Sequence, residues 1–133
     1  MNLVYLLFPV ENNTSFPYSP AVKFTKGKTP VIFSGVLPNL KDEKPESNDT
    51  LEQITQIFKK YDYILKMGNM SFNDILFALI LLSHPEDYKK ASDQYWTEMK
   101  KRGVENNPAR LCFSPGGIPI KSNVEILFIG ECD

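Results

Sequence analysis

Apolar residues recur every three or four positions in the middle of the chain, a pattern typical of a helix that buries one face. They are Leu51, Ile54, Ile57, Phe58, Tyr61, Ile64 and Leu65. Asp49 followed three residues later by Glu52 indicates a capping box, and Gly68 is placed to end the helix. The pattern therefore predicts a helix between Asp49 and Gly68.

A second amphipathic stretch predicts a helix that begins at Pro85, with Ser83 or His84 near its cap, and ends by Gly103. Its basic run, residues 100–102, is typical of a solvated helix end. Its apolar face is expected to carry Tyr88, Ala91, Tyr95 and Met99, with Trp96 beside them.

Between the helices, Ile75–Leu82 is a continuous apolar run whose length favours a strand covered on both faces. Further strands are predicted over residues 31–35, 109–114 and 123–130, and an edge strand over residues 3–8. These elements predict an α+β fold in which two helices cover one face of a sheet. No helix remains for the other face, so self-association is expected to cover it.

The amino-acid composition limits the kinds of site that the chain is expected to carry. The 133 residues are 42% hydrophobic and 12% aromatic, which indicates a globular protein with one domain over residues 1–133. Fifteen basic residues against sixteen acidic ones give a net charge of −1, which disfavours nucleic-acid binding. One His and two Cys disfavour a metal site, and two thiols without a disulfide framework predict a cytoplasmic protein.

Glu125 is the first residue that indicates a site. Strand alternation places Val124, Ile126 and Phe128 on one face and Glu125 among apolar residues on the other. A carboxylate in such a row needs a cationic or hydrogen-bonding partner, and Arg110 is the obvious candidate. From spacing alone, the pair indicates either a structural ion pair or a ligand site.

Other candidate motifs predict structure more than chemistry. The segment 114–117 is rich in Gly but lacks the residues of a phosphate loop, so a turn is expected. His84 is expected at a cap or on the surface. Cys112, in an apolar strand, is expected to be an inert packing residue.

Several short segments, in order and at matching spacing, resemble the RidA family, also called the YjgF/YER057c/UK114 or L-PSP family. They are Phe16-Pro17-Tyr18-Ser19-Pro20-Ala21-Val22, Phe33-Ser34-Gly35-Val36-Leu37-Pro38, Phe72-Asn73-Asp74-Ile75, Pro108-Ala109-Arg110-Leu111-Cys112, Ile118-Pro119 and Val124-Glu125-Ile126. The resemblance extends over nearly the whole chain. Four positions differ from the usual pattern: Phe16 replaces a Gly, Pro20 a Gln, Ser92 an Asn and Leu127 a second Glu.

The resemblance implies a chorismate-mutase-like fold with a mixed sheet, assembled as a homotrimer with ligand sites between subunits. It implies hydrolysis of reactive 2-imino or enamino acids to 2-keto acids and ammonia, without a metal or an organic cofactor. Arg110 matches the residue that binds the substrate carboxylate, and Glu125 the residue that orients the attacking water. The matching pocket positions are Tyr18, Ser34, Gly35 and Cys112.

Two other functions attach to the same resemblance. One is an endoribonuclease that inhibits translation, which the near-neutral charge and single His support poorly. The other is a non-catalytic trimer that binds small molecules in the same pocket. The sequence does not separate the second alternative from the deaminase.

Overall fold

The helix expected between Asp49 and Gly68 is present in the computed structural model, which describes residues 18–133. It spans Thr50–Met67 (α1), Asp49 accepts a hydrogen bond from the Leu51 N–H, and Gly68 ends it. The expected capping box is not formed. Asp49 accepts from the second N–H of the helix and not from that of Glu52, and the Glu52 carboxylate accepts from the Ser47 hydroxyl at 3.0 Å. The strand predicted over residues 3–8 lies outside the described residues.

The second helix, α2, spans Tyr88–Lys101 and follows a 3₁₀ turn over Pro85–Asp87, so the α-helix begins later than predicted. Ala91, Tyr95 and Met99 are fully buried, as expected, but Tyr88 is 48% exposed. At 100° per residue Tyr88 lies about 20° from the centre of that stripe, so it shares the predicted face. Its exposure goes with its position as the first residue of α2. Among the described residues, no helix is long and apolar enough to cross a membrane.

The strands of residues 18–133 span Thr29–Ile32 (β1), Leu40–Lys41 (β2), Lys44–Pro45 (β3), Ile75–Leu82 (β4), Ala109–Phe113 (β5) and Val124–Cys132 (β6). Four of them form one mixed sheet in the order β1-β6-β4-β5. Strand β4 pairs parallel to β5 and antiparallel to β6, which in turn pairs antiparallel to β1. A separate short hairpin joins β2 to β3.

Both helices pack on the same face of the four-stranded sheet, and the core lies between them and the strands. Alternate residues of β4 and β6, among them Ile80 and Phe128, face the helices and are buried. Phe128 packs edge-on against Phe58, with ring centroids 6.1 Å apart. The α+β fold with two helices on one face of a mixed sheet is therefore confirmed.

The other face of the sheet has no helix against it within residues 18–133. Ile32 is 76% exposed there, and Leu111 and Phe113 are also exposed. Between them, half-buried apolar side chains continue the surface: Phe77, Leu79, Leu81, Leu127 and Ile129. We call this surface the open face. A contiguous apolar surface of this kind is typical of an interaction site.

Candidate functional site

Arg110 and Glu125 lie on opposite faces of the sheet. Arg110 stands beside Ala78, whose side chain is buried under the helices, whereas Glu125 stands beside Leu81 on the open face. The prediction that Arg110 neutralises Glu125 within one chain is therefore wrong. Strand alternation shows which residues of one strand share a face. Which of the two faces lies against the helices depends on how β5 and β6 pair with β4.

The Arg110 side chain is held by residues from three parts of the fold. Its Nη1 donates to the Ser92 hydroxyl of α2 at 2.9 Å. The rings of Tyr18 and Tyr95 have centroids 5.4 and 5.3 Å from the guanidinium carbon, which is within cation–π range. Cys112 follows two residues later on the same face. We call Tyr18, Ser92, Tyr95, Arg110 and Cys112 the Arg110 group.

Ser19 keeps Tyr18 beside β5. The Ser19 N–H donates to the Pro108 carbonyl at 3.0 Å, and the Ser19 hydroxyl donates to the Asn107 carbonyl. Both acceptors immediately precede the strand that carries Arg110. The segment around Tyr18 is thus fixed to the start of β5, which explains why an aromatic residue distant in sequence reaches the guanidinium.

Arg110 retains donors that no described residue uses. A guanidinium carries five N–H donors in a planar fork that suits a carboxylate. Within residues 18–133 its side chain makes only the hydrogen bond to Ser92, and it forms no ion pair. A bound anionic group, above all a carboxylate, is the natural partner for the remaining donors.

Cys112 behaves as a packing residue. It is half-buried and its thiol is free, as is that of Cys132. Burial raises the pKa of the Cys112 thiol, and the nearby charge of Arg110 opposes that rise without cancelling it. A thiol with a raised pKa is a poor nucleophile at neutral pH, in agreement with the expected inert role.

The second half of the candidate site is a bulge at the end of β1. The Phe33 N–H donates to Phe128 O, and Val36 next pairs with Ile126, so Ser34 and Gly35 both stand opposite the single residue Leu127. The predicted strand over residues 31–35 therefore leaves the regular ladder at Ser34. Bulges of this kind redirect the chain beside many active sites.

Gly35 is required at this bulge because the Glu125 carboxylate packs directly on it. A Cβ added at Gly35 would overlap Oε2 of Glu125 and lie 3.0 Å from its carboxyl carbon. The structure thus brings together Ser34, Gly35 and Glu125, which we call the Glu125 group. The six residues predicted for the site therefore divide into two groups on opposite faces of the sheet.

A buried ion-pair network between the helices was not foreseen from the sequence. Arg102, expected to be solvated, donates to both carboxylate oxygens of Asp62 at 2.7 and 2.8 Å and to Glu98 Oε2 at 2.5 Å. Its guanidinium also lies 5.1 Å from the ring centroid of Phe58. The spacing of four between Glu98 and Arg102 was the available signal.

Glu98 owes its charged state to these partners. Burial alone would raise the pKa of this carboxyl, but hydrogen bonds from Arg102 and Thr55, with the charges of Arg102 and Lys101, outweigh burial and hold the pKa below its usual value. The network lies between α1 and α2, separate from the Arg110 and Glu125 groups. It therefore belongs to the stability of the helix pair.

No described part of the chain assembles an obvious metal site. Across residues 18–133, no three His, Cys, Asp or Glu side chains come together in a way that could hold a metal ion. His84 is exposed, and its Nδ1 lies 4.0 Å from Glu86. The polar groups that the structure places in the Arg110 and Glu125 groups are the guanidinium, the carboxylate, hydroxyl groups and the backbone.

The chain belongs to the Endoribonuclease L-PSP family, whose sequence model matches residues 10–132. The resemblance drawn from the motifs is thereby confirmed. Over 124 residues the chain is 26% identical to "Protein MMF1, mitochondrial" of Saccharomyces cerevisiae, covering 90% of this chain and 81% of that protein. It is also 26% identical over 111 residues to "Reactive Intermediate Deaminase A, chloroplastic" of Arabidopsis thaliana, covering 83% of this chain and 56% of that protein.

Solved structures share the fold. The crystal structure of YyfA from Yersinia pestis, a protein of unknown function in the Rid protein family, superposes with a TM-score of 0.69 at 26% identity. The match covers 87% of this chain and 88% of that one. The names of the two relatives place them in mitochondria and chloroplasts. A cytoplasmic location for this chain stays a prediction.

Proposed function

We propose that this protein is a deaminase that hydrolyses 2-imino or enamino acids, the reactive products of PLP enzymes, to 2-keto acids and ammonia. The observation that carries the proposal is the Arg110 side chain, held by Ser92 and two aromatic rings with its other donors unused by residues 18–133. A small 2-imino acid offers the carboxylate that this fork suits. The distant relative named as a deaminase supports the same class of reaction.

The reaction requires few catalytic groups, because the substrate is already reactive. The imine carbon is already electrophilic, so a water molecule oriented by Glu125 adds its oxygen to that carbon while a proton moves to nitrogen. In the resulting carbinolamine the hydroxyl proton is transferred to nitrogen and the C–N bond breaks, so ammonia leaves and the C–O bond becomes the carbonyl of the 2-keto acid. Binding the carboxylate on Arg110 beside the water supplies proximity and orientation, and no cofactor takes part.

One chain does not bring both groups to one substrate, because Arg110 faces the helices and Glu125 faces the open side. We propose that a homotrimer solves this problem, with the Arg110 group of one copy meeting the Glu125 group of the next. The apolar open face, with Ile32, Leu111 and Phe113 exposed, supports such self-association. Each site would then lie between two subunits.

The test couples the purified protein to a PLP-dependent dehydratase and follows release of the 2-keto acid. The wild type is expected to accelerate release over spontaneous hydrolysis, and Arg110→Ala to lower kcat/KM about a hundredfold by removing the carboxylate fork. Arg110→Lys serves as the matched variant, since it keeps the charge and loses the bidentate geometry. No acceleration by the wild type, or an unaltered rate in Arg110→Ala, would contradict the proposal.

Binding without turnover has its own signature. If 2-keto acids raise the melting temperature and Arg110→Ala abolishes that shift, yet no imine is hydrolysed, the protein is a small-molecule binder. Cleavage of RNA that salt suppresses and Arg110→Ala abolishes would instead favour a ribonuclease. The formal net charge of −1 does not favour that outcome.

A further inference from the structure

The bulge at Ser34 and Gly35 leaves a backbone group that the sheet does not satisfy. Val36 N–H donates to Ile126 O at 2.8 Å and Ile126 N–H donates to Val36 O at 3.1 Å, so pairing resumes only after the bulge. Ser34 O has no partner in that ladder. A partly buried backbone carbonyl that lacks a donor destabilises the conformation that places it there.

Tyr61 supplies the missing donor from the helix side. This residue of α1 is fully buried, and its hydroxyl lies 3.0 Å from Ser34 O and 2.9 Å from Ile126 O. The hydroxyl carries one proton, which the two carbonyls share. Among residues 18–133, the Tyr61 hydroxyl is the only hydrogen-bond donor to Ser34 O. Ile126 O, in contrast, also accepts from the Val36 N–H.

The ring of Tyr61 is fixed by packing that does not involve the hydroxyl. Its centroid lies 5.9 Å from that of Phe33 and 4.4 Å from that of Phe128. The aromatic contacts and the hydroxyl contacts can therefore be separated by removing one oxygen. The pKa of Tyr61 is raised, by burial above all and also by the charge of Glu125, against a backbone hydrogen bond at Phe128 that lowers it.

We propose that Tyr61 is a positioning residue of the proposed deaminase site, and this inference rests on that proposed function. Tyr61 holds Ser34 from the helix side of the sheet, while the Glu125 carboxylate packs on Gly35 from the open face. The bulge between them sets where the carboxylate lies. Tyr61 thus acts on the reaction through the bulge and touches neither the substrate nor the water.

The variant that isolates this role is Tyr61→Phe, and Tyr63→Phe on the same helix is its matched control, since Tyr63 is 68% exposed. Loss of the hydroxyl is expected to lower kcat for imine hydrolysis about tenfold, because Glu125 is no longer held in place. KM is expected to change less than twofold, because the carboxylate binds at Arg110. Tyr63→Phe is expected to match the wild type in both constants.

Hydrogen exchange gives a readout that does not depend on turnover. Amides of residues 33–37 are expected to exchange at least tenfold faster in Tyr61→Phe, with α2 unchanged. An inactive wild type would contradict the proposed function, while fast exchange at the bulge would still support the positioning of Ser34. Wild-type exchange at residues 33–37, or a wild-type kcat in an active protein, would overturn the inference about Tyr61.

Discussion

Replacing Arg102 with methionine removes the guanidinium, which joins the two helices and lies over the Phe58 ring, and keeps an unbranched apolar side chain. The side chain of Arg102 is 16% exposed and that of Glu98 is 3% exposed, so the variant leaves a buried carboxylate without its main partner. Removing one member of a buried ion pair costs about 3–5 kcal/mol of unfolding free energy. The exposed half of the interaction, with Asp62, contributes less than about 1 kcal/mol.

Glu98 keeps three weaker partners, which place the expected cost at the lower end of that range. Gln94 Nε2 donates to Glu98 Oε1 at 2.9 Å. The Thr55 hydroxyl still donates to Oε1 at 3.0 Å, and Lys101 Nζ lies 3.9 Å away. We therefore expect a loss of about 3 kcal/mol and a fall in melting temperature of about 10 °C. Urea unfolding at one fixed protein concentration measures the first quantity, and calorimetry measures the second.

The control and the pH dependence make this prediction specific. Lys89→Met breaks the exposed pair between Lys89 and Asp93, whose charged atoms lie 2.9 Å apart, and is expected to leave the free energy of unfolding close to that of the wild type. The folded-state pKa of Glu98 is depressed, so its contribution is complete above the ordinary pKa of about 4.3 and is lost as the pH falls through the folded value. The difference in unfolding free energy between the wild type and Arg102→Met should therefore become smaller in acid. A difference in unfolding free energy below about 1 kcal/mol at pH 7 would contradict a stabilising role of the Arg102–Glu98 pair.

Three further predictions concern the two halves of the site and the open face. Gly35→Ala places a Cβ against the Glu125 carboxylate and should lower kcat at least tenfold. Gly117→Ala, where a Cβ meets nothing within 4 Å, should leave kcat unchanged, and equal kinetics for the two variants would contradict a role of the bulge in placing Glu125. Ser92→Ala removes the acceptor from Arg110 and should raise KM about fivefold while Ser92→Thr keeps it near the wild-type value, and a Thr variant as impaired as Ala would argue against the hydroxyl. Phe113→Asp puts a charge on the open face and should shift the protein to monomers in sedimentation and abolish imine hydrolysis; an intact oligomer would show that another surface mediates assembly.

The sequence could predict elements whose signals are local. The helix between Asp49 and Gly68 follows from apolar spacing and end residues, and the strand Ile75–Leu82 from an uninterrupted apolar run. These features depend on the periodicity of one segment, which sequence carries directly.

The features that escaped prediction depend on how distant segments pair. The bulge at Ser34 is defined only against β6, and the opposite orientation of Arg110 and Glu125 only through β4. Arg102 resembles an ordinary basic helix end until α1 brings Asp62 to it. Tyr61 fits the core by its spacing, and nothing local shows that its hydroxyl will meet Ser34.

Co-expression of two inactive variants tests whether Arg110 of one copy and Glu125 of another form one site. Arg110→Ala and Glu125→Gln are each expected to be inactive alone, and the two are co-expressed in equal amounts so that subunits assemble at random. Each site needs an intact Arg110 from one neighbour and an intact Glu125 from the other, so co-assembly should restore about one quarter of the wild-type rate. A mixed oligomer as inactive as either parent would contradict the shared site.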